Sequence, residues 1–209
     1  MINVNLVEIM VDIYDKTSYI MYWKLISGTE RTKKMTTKTI ALIAVMTAVT
    51  CVLAPLSIPI GPVPISLTNL AIYFGLYILG MKKETISYVV YMLIGLVGVP
   101  VFSGFTGGPA KLIGPTGGYI IGFVPMAIIA GIVIDKTKGK FVPSFLAMIA
   151  GTIVCYALGT VWLAYQAQLD FVKALWAGVI PFIPGDLVKM VLAAFFGPRI
   201  LRQLNKAGL

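Results

Sequence analysis

The sequence predicts an all-α integral membrane protein of six transmembrane helices with both termini in the cytoplasm, and three observations carry that prediction. The 209 residues are 58% hydrophobic and only 12% charged, with a mean hydropathy of +0.92. That is too little polarity to cover a water-facing surface, so the surrounding solvent is lipid. Six apolar stretches alternate with short connections, and the basic residues behind the formal net charge of +9 cluster in every second connection. Basic clusters in alternate connections mark membrane topology, not a polar face for nucleic acid.

Residues 1–34 come first and stand apart. Glu8, Asp12, Asp15 and Lys16 interrupt their apolar runs, so no signal-peptide core is present. This extension reads as an amphipathic surface helix, a cloning addition or an over-long start, since Met35 opens a second plausible beginning. The membrane domain is expected over residues 35–209.

Within it the apolar stretches run Thr39 to Ala54, Ser66 to Met81, Glu84 to Val99, Gly118 to Ile134, Val142 to Ala164 and Gly185 to Leu204. Several hold about 16 residues, which at 1.5 Å each reach about 25 Å and only just cross a hydrocarbon layer of about 30 Å. Phe171 to Ile183 is also apolar but contains Lys173 and Pro181, and is expected as a half-helix or re-entrant segment. Lys33, Lys34 and Lys38 precede the first span, Lys82 and Lys83 follow the second, Lys136, Lys138 and Lys140 follow the fourth, and Arg199, Arg202 and Lys206 close the last. The other connections hold only Lys111 and Lys173 as cations, which places the basic ends, and both termini, in the cytoplasm.

Little in the composition favours catalysis. There is no histidine, the usual general base at neutral pH, and the two cysteines, Cys51 and Cys155, lie inside apolar stretches as small core residues. Gly114-Pro115-Thr116-Gly117-Gly118-Tyr119 resembles a phosphate loop but lacks the Lys-Ser/Thr ending, so the chain is expected to hydrolyse no ATP. No cofactor is expected.

The chemistry concentrates at the outer end. Three connections there, Ala54 to Ser66, Pro100 to Gly118 and Gly178 to Asp186, are crowded with proline and glycine and nearly uncharged. Non-helical backbone at this depth requires a protein cover or a cavity, because lipid satisfies no N–H or C=O group. Three such loops on one face predict a covered pocket.

Asp186 and Lys189 form a charged pair three residues apart in apolar helical sequence, hence on one face. Such residues mark functional sites by default, and here they either pair with each other or open around a ligand. Gly117 and Gly118 would let backbone approach a ligand closely, and Tyr119 would either wall the pocket or sit in the interfacial aromatic belt. Lys111 would either neutralise a ligand anion or serve topology alone. Ala44 and Ala48 make a small-xxx-small ridge that lets another helix approach, within the chain or from a partner.

Four ordered motifs from about Met35 onward resemble the BioY family: Ile58-Pro59-Ile60-Gly61-Pro62-Val63-Pro64-Ile65-Ser66-Leu67-Thr68, Gly95-Leu96-Val97-Gly98-Val99-Pro100-Val101-Phe102, Gly114 to Tyr119 followed by Gly122-Phe123, and Pro181-Phe182-Ile183-Pro184-Gly185-Asp186 with Lys189. The resemblance implies the six-helix S-component fold of an energy-coupling factor (ECF) importer in the cell membrane. Such a subunit captures biotin at the outer face and delivers it with a T component and two ATPase subunits, so biotin is its cargo and no cofactor. It further implies that Asp186, Lys189 and Asn69, where family members often carry Gln, address the biotin head group, and that Ala44 and Ala48 contact the T component. An S component for another vitamin, or an autonomous secondary transporter, are the alternatives.

Overall fold

The computed structural model describes residues 35–206; the extension proposed for residues 1–34 lies outside them. The architecture is helical, with one two-residue β-hairpin that the all-α expectation did not include. The elements are α1 (Thr37–Leu53), β1 (Ser57–Ile58), β2 (Ile65–Ser66), α2 (Thr68–Leu79), α3 (Met81–Leu96), α4 (Pro109–Ile113), α5 (Gly117–Lys136), α6 (Phe141–Gln166), α7 (Phe171–Gly178) and α8 (Ile183–Lys206). A 3-10 turn, Ile180–Phe182, joins α7 to α8. Among the described residues, three apolar stretches are long enough by themselves to cross a membrane: Gly117–Lys136, Phe141–Gln166 and Phe171–Leu204.

The shorter helices have distinct roles. In α1, Ile43, Met46, Thr47 and Thr50 are buried, an i, i+3, i+4, i+7 pattern that puts them on one face. Ala44 and Ala48 lie on the other, exposed face. The buried face meets α3 through a polar link, the Thr47 hydroxyl donating to Ser87 O at 3.2 Å and lying 3.0 Å from Ser87 Oγ. Helix α2 has only 12 residues, about 18 Å of rise, and is buried on nearly every side among α3, α5 and α8. Because protein surrounds it, its length need not match the hydrocarbon layer.

Gly80, at φ 77°, turns the chain from α2 into α3, and Asp135 Oδ2 accepts the Met81 N–H there at 3.0 Å. Glu84, four residues on, is completely buried with neither carboxyl oxygen hydrogen-bonded among the described residues, its carboxyl lying over Gly75 of α2. The sequence reading opened the third apolar stretch at Glu84 and did not foresee its burial.

Helices α5 and α6 pack along a glycine seam. A Cβ added at Gly122 would stand 3.2 Å from backbone atoms of Cys155, and one at Gly151 would stand 2.8 Å from Met126 O. In lipid no hydrophobic drive holds helices together, so this close backbone approach supplies the van der Waals contact that does. Cys155 is buried in that seam and Cys51 is partly buried against the main core, both with free thiols.

The loops at the end opposite the lysine clusters are ordered by backbone hydrogen bonds. Ser57–Ile58 pairs antiparallel with Ile65–Ser66. Gly104 N–H donates to Pro55 O at 3.1 Å, tying the second loop to the first, and Gly108 N–H donates to Gly95 O at 2.7 Å. These bonds answer the demand that non-helical backbone at this depth be internally satisfied.

Candidate functional site

Beneath these loops lies a cavity of about 70 Å³ lined by residues of the hairpin, α2, α3, α5, α6 and α8. Its polar end is built around Lys189, in the second turn of α8. The Lys189 ammonium donates to Ser66 O at 2.7 Å, to Asn69 Oδ1 at 3.0 Å and to Asp186 Oδ1 at 3.0 Å. An ammonium has three donors, so all three are engaged. Asp186 sits in the first turn of α8, where the helix dipole favours a negative charge. Its second oxygen, Oδ2, accepts the Tyr156 hydroxyl at 2.6 Å.

The arrangement leaves defined capacity for a ligand. A carboxylate offers roughly four lone-pair sites, and Asp186 uses two within the protein, so it retains room for ligand N–H groups. Asn69 must turn Oδ1 toward the ammonium, since its amide nitrogen would set donor against donor; its Nδ2 makes no hydrogen bond among the described residues and can donate to a ligand oxygen. Asp186, Asn69 and Lys189 are 7%, 4% and 8% exposed. At that burial each hydrogen bond counts for more than in water, and each missing one costs more.

The rest of the wall is aromatic. Tyr91 meets Phe102 edge-on at 5.6 Å and lies tilted against Tyr88 at 5.4 Å, while Tyr88 meets Phe123 edge-on at 6.0 Å. The hydroxyls of Tyr88 and Tyr91 donate to Ile120 O at 2.8 Å and Val101 O at 3.1 Å, which fixes the rings and leaves their faces as apolar walls.

Of the residues singled out from sequence, Asp186, Lys189, Asn69 and Tyr119 all line this cavity. Tyr119 is 6% exposed, its ring packed on Gly159 and its hydroxyl 3.5 Å from Thr160 Oγ1, a core position and no interfacial belt. Gly117, Gly118 and Lys111 do not line it. Gly117 is closed off by Leu112 O, and Gly118 by Trp162 and Leu158 O, so these glycines admit neighbouring backbone and side chain where ligand approach was expected. Lys111 sits on α4, and partial burial lowers its pKa from the ordinary lysine value. Sequence reasoning missed Tyr156, Tyr88, Tyr91 and the Ser66 carbonyl, because no local pattern distinguishes a pocket tyrosine from any other apolar-helix tyrosine.

Comparison with known proteins identifies the family. The BioY family profile matches residues 29–206, beginning a little upstream of Met35. Biotin transporter BioY2 of Lactococcus lactis is 36% identical over 166 residues, covering 79% of this chain and 91% of the relative. Biotin transporter BioY of Thermotoga maritima is 39% identical over 156 residues, covering 75% and 91%. A crystal structure of the S-component for biotin from an ECF-type ABC transporter superposes with a TM-score of 0.74 at 32% identity, covering 82% of this chain and 94% of that one. On sequence and on fold, this chain is a membrane protein of the BioY family.

Proposed function

We propose that this chain is the biotin-binding S component of an ECF-type importer. The observation that carries the reading is the polar head of the cavity: a carboxylate with spare acceptors beside an amide with free donors, both anchored on one buried ammonium. A cyclic urea presents a matching set, two N–H donors flanking one carbonyl oxygen. Asp186 receives the N–H groups, Asn69 donates to the carbonyl, and the tyrosine and phenylalanine faces hold the apolar ring and chain. Lys189 acts chiefly as the anchor, since its three donors are already spent, and Tyr156 aims the Asp186 carboxylate. Tyr119 forms a side wall, Gly117 and Gly118 hold the α5 end in place, and Lys111 is free to meet the biotin carboxylate at the loop.

The cavity is well below the roughly 300–1,000 Å³ of small-molecule sites. Entry therefore moves the loop from Pro100 to Gly118 outward, and its return encloses the ligand. In this reading α1, α2, α3, α5, α6 and α8 are six crossings of the cell membrane, and the positive-inside pattern supports a cytoplasmic side for the lysine-rich ends and both termini. The exposed Ala44–Ala48 ridge is the docking face for a T component that two ATPase subunits drive.

Equilibrium binding of labelled biotin to the detergent-purified chain tests the reading. Saturable binding that dethiobiotin displaces and thiamine or riboflavin do not is the expected result. Binding of a different vitamin in its place would make the chain a sister S component, and biotin accumulation by the chain alone in proteoliposomes along an ion gradient would make it a secondary transporter.

A further inference from the structure

The end of the bundle remote from Asp186 contains a second concavity, unrelated to the site above. The C-terminal ends of α2 and α5, the start of α6 and the last turns of α8 enclose about 970 Å³, at the upper end of the roughly 300–1,000 Å³ range of ligand sites. Four cations line it, Lys138, Lys140, Arg199 and Arg202, against a single carboxylate, Asp135. Asp135 is engaged with the Met81 N–H, and none of the four cations forms a salt bridge among the described residues. The recess thus gathers four exposed cations around one engaged carboxylate. Topology explains why lysines and arginines lie at this end of the chain. It does not explain why those of two separate elements converge on one hollow.

One further feature points to a bound anion. The Arg199 guanidinium lies 4.1 Å over the Phe195 ring. Stacking holds its plane and leaves its N–H edge free for bidentate contact, the geometry that suits phosphate oxygens. Beside these groups Ile134, Phe195 and Leu201 supply an apolar wall. A site that is cationic on one side and apolar on the other suits an anion carrying a hydrocarbon part.

We infer that this recess binds a phosphate ester, with the phosphate between Arg199, Arg202 and the two lysines and the organic portion against Phe195 and Leu201. The ester is either the headgroup of an anionic phospholipid in the adjoining leaflet or a soluble phosphate ester.

Native mass spectrometry of the full chain, released from detergent with equimolar phosphatidylglycerol and phosphatidylcholine, tests this. The comparison is between Arg199→Gln/Arg202→Gln and Lys136→Gln/Lys206→Gln, which removes equal charge at the same end but outside the recess. Retention of phosphatidylglycerol over phosphatidylcholine is expected, weakened at least about tenfold by the arginine pair and unchanged by the outer pair. If the arginine variant does not fold, Lys138→Gln/Lys140→Gln serves, because both lysines lie outside the packed core. Adding glycerol 3-phosphate separates the sources: displacement of the lipid, together with stabilisation of the lipid-free chain against heat, assigns a soluble ester, and no effect assigns the lipid. Failure to prefer either phosphatidylglycerol or glycerol 3-phosphate, or equal loss in both double variants, would overturn the site and leave only diffuse surface charge.

Discussion

Replacing Asp186 by asparagine exchanges one acceptor atom for a donor at the centre of the polar network. In the wild type Oδ1 accepts from Lys189 at 3.0 Å and Oδ2 accepts from Tyr156 at 2.6 Å. In the variant the single carbonyl oxygen must face the ammonium, and the new NH2 group faces Tyr156, whose hydroxyl turns to accept. A ligand N–H that met carboxylate Oδ2 now meets a donor. The loss is one charge-assisted hydrogen bond, about 1.5–3 kcal/mol, so the Kd for biotin rises about 10- to 150-fold. Removing one partner of a buried pair typically costs about 3–5 kcal/mol of stability. Here the cost is smaller, because the Ser66 and Asn69 carbonyls still accept from Lys189. The protein should fold with a lowered Tm. Labelled-biotin binding read beside a thermal unfolding curve checks both quantities, and a folded variant with wild-type Kd would refute the role given to Asp186.

Three other perturbations follow from the structure. Biotin should slow amide hydrogen exchange in the loop from Pro100 to Gly118; equal exchange with and without biotin would mean the loop does not close over the ligand. Enlarging Ala44 and Ala48 together to tryptophan should leave biotin binding by the isolated chain intact, since both point away from the packed face of α1, and should abolish co-purification with T and ATPase subunits. Retained assembly would place the docking surface elsewhere. Gly159→Ala drives a methyl into the Tyr119 ring at the α5–α6 seam, so a destabilisation of about 1–3 kcal/mol is expected, with weaker biotin binding as the ring moves into the cavity; an unchanged Tm would show that the seam has slack.

How much of this was legible in sequence depends on the range of the interaction concerned. Membrane residence, the order of the helices and the Asp186–Lys189 pair are local quantities: hydropathy summed over a window, proline and glycine in the turns, and a spacing of three on one helix. Each survives without knowledge of neighbours, and the helices are found close to where those patterns put them, with α7 as the short segment before the last helix. The four BioY motifs belong to the same class, because they are contiguous strings. Partnership was not local. Asn69 reaches Lys189 across 120 positions and Tyr156 reaches Asp186 across 30, and only helix packing brings either pair together. Gly117 and Gly118 show the opposite limit, since a glycine signals that something comes close without saying what, and here it was Leu112 and Trp162. Burial was equally out of reach: α2, read as a marginal span, is wrapped by protein, and Glu84, read as the first residue of an apolar stretch, has its carboxyl buried. Sequence alone determined which solvent the chain lives in and where it turns; the tertiary packing decided which side chains share a cavity, because that depends on the angles and depths at which helices meet.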